Sequence, residues 1–338
     1  MSKLQILIVA AVALSLAAWF ASHREQQRFG VNEGQMLVPD LADQLADIDT
    51  VTIQPAGNDA TTLTAKDGQW QVVERGHYPA DTTALRKELR KLAQARRLEA
   101  KTAQPDFYAR LGVEDVEHAQ DTTVRVSAHS GDELVLDIII GKSTASGSYV
   151  RMLDDPQAWL IDQSVALPRV TVAWLDNPLL SVARNDIQRI EVSPLDGPQY
   201  AIHKDDPEQS DFALEPAPAQ DASLNAANIN RLGAALSSLR IEDVLPQAPS
   251  ELRWSEAKLS TFDGLQLTVA VAKSEDNTRY LRLTASAADS ADEALLARVD
   301  AINAKAAGRV FLGPQYSVDA LSMTHSMLIR QASQDSDS

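Results

Sequence analysis

The residues that come closest to a chemical motif are Gly141, Lys142 and Ser143, which match the end of a phosphate-binding loop. In such a loop, backbone amides and the lysine bind nucleotide phosphates, and a helix follows directly. The full motif requires a glycine five residues before Gly141, where this chain has Leu136, and residues 148–153 alternate as a strand does. We therefore predict a turn at the end of a strand, without a bound nucleotide.

Metal chemistry would require histidines or carboxylates that one element presents together. No two histidines of this chain lie two to four residues apart, so only folding could bring them into one site. They are His23, His77, His118, His129, His203 and His325. The chain has no cysteine, which excludes a thiolate metal site, a disulfide and a cysteine nucleophile. We predict solvated surface histidines, with no metal and no cofactor.

Two further patterns carry catalytic chemistry in other proteins. Ser255 and Lys258 fit the S-x-x-K pair of penicillin-recognising enzymes, but they precede a predicted strand and no K-T-G companion occurs. Acidic pairs stand beside prolines in predicted turns, at Asp154-Asp155 and Asp205-Asp206. Such pairs are typical of solvated turns, although a glycosidase brings its carboxylates together only in the fold. We predict no catalytic residue and no enzymatic activity, and an envelope hydrolase is the less favoured alternative.

A basic run stands out in an otherwise acidic chain. Between residues 86 and 101, seven cations accompany only two carboxylates, while the whole chain carries a net charge of −16. The interpretation favoured by default is a solvated helix face, whose C-terminal cations suit the helix dipole. The functional alternative is a docking surface for anionic lipid headgroups or an acidic partner. The candidate docking residues are Arg86, Lys87, Arg90, Lys91, Arg96 and Arg97.

Composition limits the class of protein. With 338 residues, of which 44% are hydrophobic, the chain is long enough for about two domains, each with its own core. Aromatic residues make up only 5%, so the core must consist mainly of aliphatic side chains. The negative net charge argues against general nucleic-acid binding, because phosphate contacts need a basic face.

The amino terminus contains the longest apolar run, residues 4–21, which is at the short end for a membrane-spanning helix. Lys3 precedes the run, as in an export signal, whereas Trp19 and Phe20 suit a membrane interface and leave a poor cleavage site. We predict an uncleaved signal anchor. It makes the protein a single-pass inner-membrane protein with the bulk of the chain in the periplasm. A cleaved signal, and less so a buried core helix, are the alternatives.

The residues after the anchor predict a module of strands and helices. Asp67-Gly68 between alternating runs indicates a hairpin, and Asp81 is a predicted N-cap for a helix with Leu85, Leu89 and Leu92 on one face. A short helix over residues 105–111 ends at Gly112. The predicted strands are residues 47–55, 61–65, 70–73, 122–128, 133–140, 148–153 and 158–161.

The same order of features starts again at Asp186, with a helix over residues 224–239, a hairpin at Asp263-Gly264 and an inserted helix over residues 292–306. We interpret this as a duplicated α+β module, each copy having a mainly antiparallel sheet and one principal helix. The predicted organisation is a transmembrane signal anchor (1–21), a juxtamembrane stalk (22–46), a first copy (47–176), a divergent second copy (177–325) and a disordered tail (326–338).

Several short motifs of the first copy resemble the domain-of-unknown-function family 4340. They are residues 48–53, 67–72, 78–81 (Y-P-A-D), 108–113 (Y-A-R-L-G-V), 131–132, 138–142 (I-I-I-G-K), 148–152 (S-Y-V-R-M) and 159–162. The resemblance covers residues 48–168, whereas the second copy lacks the Y-P-A-D and L-G-V pieces. It implies a single-span, envelope-anchored protein associated with gliding-motility-type ABC transport systems. It implies no catalytic residues.

These observations favour an accessory or binding protein beside an ABC transporter permease, with the inner membrane and possible envelope proteins as its partners and no nucleic acid. A structural envelope protein that bridges membrane and wall is the alternative. A pair of sheet modules offers clefts for recognition, but the sequence specifies neither the ligand, nor the partner, nor the oligomeric state.

Overall fold

The computed structural model describes residues 33–119, 122–289 and 291–331. The predicted anchor at residues 4–21 lies outside this range. The chain divides into two compact units: Met1–Glu74 with Ala80–Trp174 form the first unit, and Arg75–Pro79 with Leu175–Ser338 form the second. Among the described residues, no helix is long and apolar enough to cross a membrane.

The described part of the first unit is a mainly antiparallel sheet with one long helix. Its elements are α1 (Leu41–Gln44), β1 (Thr50–Pro55), β2 (Thr61–Lys66), β3 (Gln69–Val72), α2 (Thr83–Gln94), β5 (Arg97–Thr102), α3 (Tyr108–Leu111), β6 (Val124–Ser130), β7 (Glu133–Thr144), β8 (Gly147–Met152) and β9 (Ala158–Ile161); β4 (Tyr78–Pro79) belongs to the second unit. The strand order within the unit is β3-β2-β1-β6-β7-β8-β9-β5. Val51 and Ile53 alternate with half-buried polar neighbours, as predicted for β1.

Helix α2 confirms the leucine stripe, because Leu85, Leu89 and Leu92 are all buried. It begins at Thr83 after Thr82 as N-cap, one residue later than predicted, and Asp81 Oδ1 accepts a hydrogen bond from the Thr83 N–H at 2.9 Å. A hydrogen bond from the Thr83 hydroxyl, and after it the one from the Thr83 N–H, lowers the pKa of Asp81. The helix ends at Gln94, since Ala95 adopts an extended conformation and the following residues form β5.

The prediction that all the candidate docking residues lie on one helix was therefore wrong. Arg96 and Arg97 lie beyond the helix, and Arg97 is the first residue of β5, which pairs with β9 at the edge of the sheet. Their helix-favouring sequence is overridden by backbone pairing on both sides, because Arg97 also exchanges backbone hydrogen bonds with Gly34 and Gln35.

The predicted stalk is too long at its C-terminal end. Residues 34–47 pack on the first unit, where Leu37 and Leu41 are almost completely buried and the Leu37 N–H donates to the Ala95 carbonyl at 2.7 Å. The predicted disordered tail likewise begins too early, since Ile329–Gln331 forms a strand antiparallel to Ala222–Leu224. Apolar Leu328 and Ile329 explain why this stretch is ordered, and Leu328 is fully buried.

The second unit repeats the architecture of the first. Its elements are β4, β10 (Ile187–Ser193), β11 (Tyr200–His203), β12 (Ala213–Glu215), β13 (Ala222–Leu224), α4 (Ala226–Gly233), β14 (Asp243–Leu245), β15 (Ser255–Thr261), β16 (Leu265–Lys273), β17 (Arg279–Ala287), α5 (Glu293–Ala306), β18 (Val310–Leu312), α6 (Gln315–Leu321) and β19 (Ile329–Gln331). Its main sheet runs β12-β11-β10-β15-β16-β17-β18-β14. These strands follow the same order as β3-β2-β1-β6-β7-β8-β9-β5.

The register between β8 and β9 agrees with the register between β17 and β18 at the positions that the sequence repeat matches. In the first unit Tyr149 pairs with Leu160, and in the second Tyr280 pairs with Leu312. All the pairings in both sheets are antiparallel, which confirms the α+β class. The matching order and registers support the duplication hypothesis, because two unrelated sheets would have no reason to share both.

The helices of the second unit depart from the prediction in length. Helix α4 ends at Gly233, six residues short of the predicted end, and a side chain there would meet the Phe212 ring at 2.6 Å. The inserted helix is confirmed as α5, with Asp292 as its N-cap accepting from the Leu295 N–H at 2.8 Å. At 14 residues, α5 rather than α4 is the longest helix of this unit.

A short segment of the first sequence copy, Arg75–Pro79, is built into the second unit. Tyr78 is fully buried there, edge-on to the Phe311 ring with centroids 6.0 Å apart, and its hydroxyl donates to the Asp176 carbonyl at 3.1 Å. Burial raises the pKa of Tyr78. Arg75 makes a bidentate ion pair with Asp243. The Tyr78 of the Y-P-A-D motif is thus a core residue of the second unit.

Candidate functional site: a pocket in the first unit

Gly141 and Lys142 of the G-K motif lie within β7, at a register shift between Ile140 and Ser143, rather than in a turn after the strand. A side chain at Gly141 would place its Cβ 2.4 Å from the Leu111 carbonyl oxygen and 2.7 Å from that of Gly112. Glycine is therefore required because the end of α3 lies directly against the strand. The prediction of a turn was wrong, and the motif has a packing role.

Lys142 completes this packing. Its Nζ donates to the Arg110 carbonyl at 3.0 Å, one of the carbonyls that the end of α3 leaves without a helical partner. Gly112 follows the helix with φ +72°, the left-handed conformation that ends helices. The L-G-V and I-I-I-G-K motifs thus meet in space and hold α3 on the sheet.

An apolar cluster lies beside this junction. Tyr108, Val113, Ile139 and Ala158 are buried together, and the partly buried side chains of Leu111, Tyr149 and Leu153 pack on them. Residues of three resemblance motifs contribute to the cluster. Tyr108 and Leu153 of this cluster also line a pocket.

The pocket has a volume of about 390 Å³ and is lined by both apolar and charged side chains. Its principal lining residues are Tyr108, Glu114, Asp115, His118, Arg151 and Asp154. They come from α3, from the segment that leads to β6, from β8 and from the turn before β9. Its volume is within the range of about 300–1,000 Å³ that is typical of ligand pockets.

Arg151 is the most constrained charge in the pocket, because only 6% of its surface is exposed. Its Nε donates to the Val113 carbonyl at 3.0 Å and its Nη2 to Asp115 Oδ1 at 2.5 Å. The guanidinium lies 4.7 Å from the centre of the Tyr108 ring, in a cation–π contact. A buried guanidinium needs such partners, since an unpaired charge would be strongly destabilising.

Tyr108 is held as firmly as the arginine that it contacts. Its hydroxyl donates to the Pro156 carbonyl at 2.6 Å, which ties α3 to the turn before β9. Desolvation raises the pKa of Tyr108, although Arg151 acts in the opposite direction. The phenol therefore stays protonated at neutral pH and serves as a fixed donor.

The charge of the pocket rim is negative. The Asp115 side chain remains 57% exposed although it pairs with Arg151, and Glu114 and Asp154 add further carboxylates. Exposed His118 also lines the rim. A buried guanidinium beneath exposed carboxylates presents both a donor and several acceptors to an incoming group.

The second unit has an arginine at the corresponding position but lacks this site. Arg282 occupies on β17 the place of Arg151 on β8, and it lies 4.3 Å from the centre of the Trp254 ring. Unlike Arg151 it is exposed, and among the described residues it makes no ion pair. Stacking of arginine on an aromatic ring is common to both units, whereas the carboxylate partner is specific to the first.

The six candidate docking residues are separated by the structure into two groups. Lys91 and Arg97 are bound within the unit: Lys91 Nζ bonds to both carboxylate oxygens of Glu88 and to the Ser164 carbonyl, and Arg97 Nη2 donates to the Leu37 carbonyl. Arg97 also stacks on the Trp159 ring at 5.1 Å. These two cations stabilise the fold and are not available to a partner.

The remaining four candidate docking residues are exposed: Arg86, Lys87, Arg90 and Arg96. Arg96 donates to the Gly34 carbonyl through Nη1 at 2.8 Å. Arg86, Lys87 and Arg90 share the solvent face of α2, opposite the buried leucines. We call these three residues the basic face.

The catalytic patterns of the sequence do not assemble into a site within the described part of the chain. The residues of the S-x-x-K pattern lie on β15, where Ser255 is buried and its Oγ accepts from the Leu195 N–H at 3.3 Å. The described histidines and carboxylates include no group of three that could hold a metal ion.

Arg151, Asp115 and Tyr108 were not predicted to form a site. The available signal was the single cation in the otherwise apolar strand S-Y-V-R-M, because a charge at a buried strand position requires a partner. The partner itself, Asp115, is 36 residues away in the chain and lies in a loop, so no local pattern indicates it.

The fold and the site define an α+β protein. Its two main sheets have the same strand order, and the first unit contains the pocket around Arg151. The sequence model of the family described as "Domain of unknown function (DUF4340)" matches residues 70–260, more than half of the chain, so the protein belongs to this family. The match begins in β3 and ends in β15, so it includes the pocket and extends beyond residue 168, where the motif resemblance ends. No curated protein and no solved structure matches the chain.

Proposed function

We propose that this protein is a binding subunit of the cell envelope, anchored in the inner membrane by residues 4–21, with both units in the periplasm beside an ABC-type transport system. Its task is recognition, and the pocket around Arg151 receives a segment of a partner protein. The apolar amino-terminal run and the family resemblance support the anchor and the transport system. The pocket supports recognition.

One observation carries the proposal: the family motifs converge on a pocket whose central side chain is a fixed, buried arginine. Arginine stays protonated throughout the physiological pH range, so it serves binding rather than proton transfer. Val113 and Asp115 hold its position, which lowers the entropy that a ligand would lose on binding. These features favour a recognition site over a hydrolase site.

The charge of the rim selects the partner segment. The exposed carboxylates of Asp115 and Asp154 and the half-buried carboxylate of Glu114 favour a segment with basic side chains. The Arg151 guanidinium supplies a donor for a backbone carbonyl within that segment. Complementary charge across a small, partly exposed site chiefly increases the association rate and the specificity.

Photo-crosslinking in cells tests the proposal. A photoreactive residue at exposed His118 of the full-length protein should capture a membrane protein, and Arg151→Met should abolish that adduct. The matched controls are a probe at Arg253, beside the stacked arginine of the second unit, and Arg282→Met, which should leave the His118 adduct unchanged. Equal adducts at both probe positions, or an adduct that survives Arg151→Met, would contradict recognition by the pocket.

Two further outcomes decide between the alternatives. Capture of cell-wall polymer instead of protein would favour a structural bridge between membrane and wall. Sequencing of the mature amino terminus tests the anchor: a protein that begins after residue 18 or 21 is a soluble exported protein, and the tether is then wrong.

A further inference from the structure

The basic face of α2 is a cluster of unpaired charge. Among the described residues, the side chains of Arg86 and Arg90 make no hydrogen bond and no ion pair. Lys87 Nζ is 3.9 Å from Glu88, but that carboxylate is buried and already accepts from Lys91 and from the Ala166 N–H. The three cations are neighbours at spacings of three and four residues, so they repel one another.

This arrangement is specific to the first unit. Helix α4, at the corresponding place in the second unit, has a single cation, Arg231, which lies 3.7 Å from Asp319. The chain carries 47 acidic residues, yet none of the described ones neutralises Arg86 or Arg90. Repelling cations that are left without counterions in an acidic chain suit an external anionic partner.

The path of the polypeptide between the predicted anchor and α2 indicates which anionic partner lies close to the basic face. The Gly34 N–H donates to the Arg97 carbonyl at 2.7 Å, and the Leu37 N–H donates to the Ala95 carbonyl at 2.7 Å. The polypeptide that leads to the predicted anchor therefore runs beside the C-terminal end of α2. Residues 22–33 span at most about 43 Å when fully extended. In a protein anchored through residues 4–21, this tether limits the distance between the membrane surface and the C-terminal end of α2.

We propose that the basic face, Arg86, Lys87 and Arg90, binds anionic phospholipid headgroups of the membrane in which the chain is anchored. This inference rests on the proposed anchor and adds how the first unit is held on the bilayer surface. Each cation at an anionic surface increases association several-fold, so three together contribute on the order of a hundredfold. The acidic remainder of the chain opposes this weakly, because salt screens charges beyond about 8 Å.

The absence of cysteine makes the surface easy to probe, since a single introduced cysteine is the only labelling site. Gln94→Cys places a fluorophore at the exposed end of α2, and Ala227→Cys places one at an exposed position of α4 as a control. The full-length protein is reconstituted in vesicles of phosphatidylcholine alone, or with one third phosphatidylglycerol, each with a nitroxide-labelled lipid as quencher.

The expected result is several-fold stronger quenching at position 94 in the phosphatidylglycerol vesicles, with little change at position 227. Charge reversal by Arg86→Glu with Arg90→Glu should abolish the difference, and so should high salt. The matched control, Lys66→Glu with Lys258→Glu, changes the net charge equally on other exposed surfaces and should retain it.

Equal quenching in the two kinds of vesicle, or quenching that survives the charge reversal, would overturn lipid binding. If the charge reversal instead abolishes co-purification of an acidic protein while quenching is unchanged, the face docks a protein and the inference is wrong. Flotation of the vesicles separates the two levels: protein that does not float refutes the anchor, whereas protein that floats without quenching refutes only the basic face.

Discussion

Replacement of Gly141 by alanine tests the junction that holds α3 on the sheet. Gly141 has no positive φ, so the substitution causes no backbone strain, and its cost comes entirely from the lost close approach. The new Cβ would lie 2.4 Å from the Leu111 carbonyl oxygen and 2.9 Å from the Gly112 carbonyl carbon, distances that real Cβ atoms do not show. Because these neighbours are backbone atoms, α3 itself must move.

The expected loss of stability follows from overpacking. Extra atoms in a well-packed region cost about 1–3 kcal/mol, and rigid backbone neighbours favour the upper end of that range. For a unit of this size each kcal/mol lowers the melting temperature by about 2–4 °C, so we expect a decrease of about 4–12 °C. Displacement of α3 also separates Tyr108 from Arg151, so the pocket should be lost with the helix.

Urea unfolding gives the free energy of unfolding, and hydrogen exchange followed by mass spectrometry localises the change. Protection of residues 108–113 should fall in Gly141→Ala. Gly131→Ala is the comparison, because Gly131 has φ +57° and no atom within 4 Å of a new Cβ. It should cost about 1–2 kcal/mol through strain, and protection of residues 108–113 should not change. The close approach would be refuted if Gly141→Ala unfolded with wild-type free energy and protected α3 as the wild type does.

A double variant gives an internal check. Gly112→Ala combines strain, at φ +72°, with a Cβ 2.7 Å from Thr122 Oγ1. Since both substitutions are relieved by the same movement of α3, their costs should not add, and the double variant should be at least about 0.5 kcal/mol more stable than the sum predicts. Strict additivity would mean that the two glycines act on different contacts.

Two further predictions concern the second unit. Tyr78→Phe removes one hydrogen bond and should lower the free energy of unfolding by about 1 kcal/mol, and Tyr78→Ala should lower it by about 3–5 kcal/mol. In Tyr78→Ala, hydrogen-exchange protection should fall in β14 and β18 and stay unchanged in β6–β8. A loss of protection confined to β6–β8 would show that Tyr78 stabilises the other unit. Hydrogen bonds from Thr261 and the Leu265 N–H, together with Arg298, lower the pKa of Asp263 below its ordinary 3.8, although desolvation opposes them. Stability from this carboxylate is therefore present above that value and lost as pH falls through the folded pKa, so Asp263→Asn should be less stable than the wild type at neutral pH and should equal it in strong acid. A stability difference that is independent of pH, measured by urea unfolding across the acid range, would contradict this assignment.

Local sequence patterns were sufficient to predict a strand or helix where residues close in the chain stabilise that element. Asp67-Gly68 turns its hairpin with φ values of +52° and +76°, and the leucines of α2 face the core, as the sequence indicates. The repeat could be recognised because each copy keeps the alternation that its sheet requires. Patterns of this kind lie within a dozen residues, which is the range in which sequence specifies geometry directly.

Features that depend on distant pairing could not be predicted. The residues from Arg96 to Lys101 favour a helix by composition, but they pair with β9, some sixty residues later. The Asp115–Arg151 ion pair could not be predicted for the same reason, because the two residues are distant in the sequence and only the fold brings them together. Distant contacts also bind Lys91 and Arg97, two of the six predicted docking residues, within the unit, and the sequence could not indicate these contacts.

The insertion of Arg75–Pro79 into the second unit has a consequence for biosynthesis. Tyr78 is synthesised long before its aromatic neighbour Phe311, and at about 5–20 residues per second the interval is roughly 10–50 s. During that time the first unit can close around a loop whose tyrosine still awaits its site. A truncated amino-terminal half would leave the Tyr78 side chain uncovered, and a separate carboxy-terminal half would lack part of its core. We therefore expect the two repeats to fold correctly only when they are synthesised as one chain.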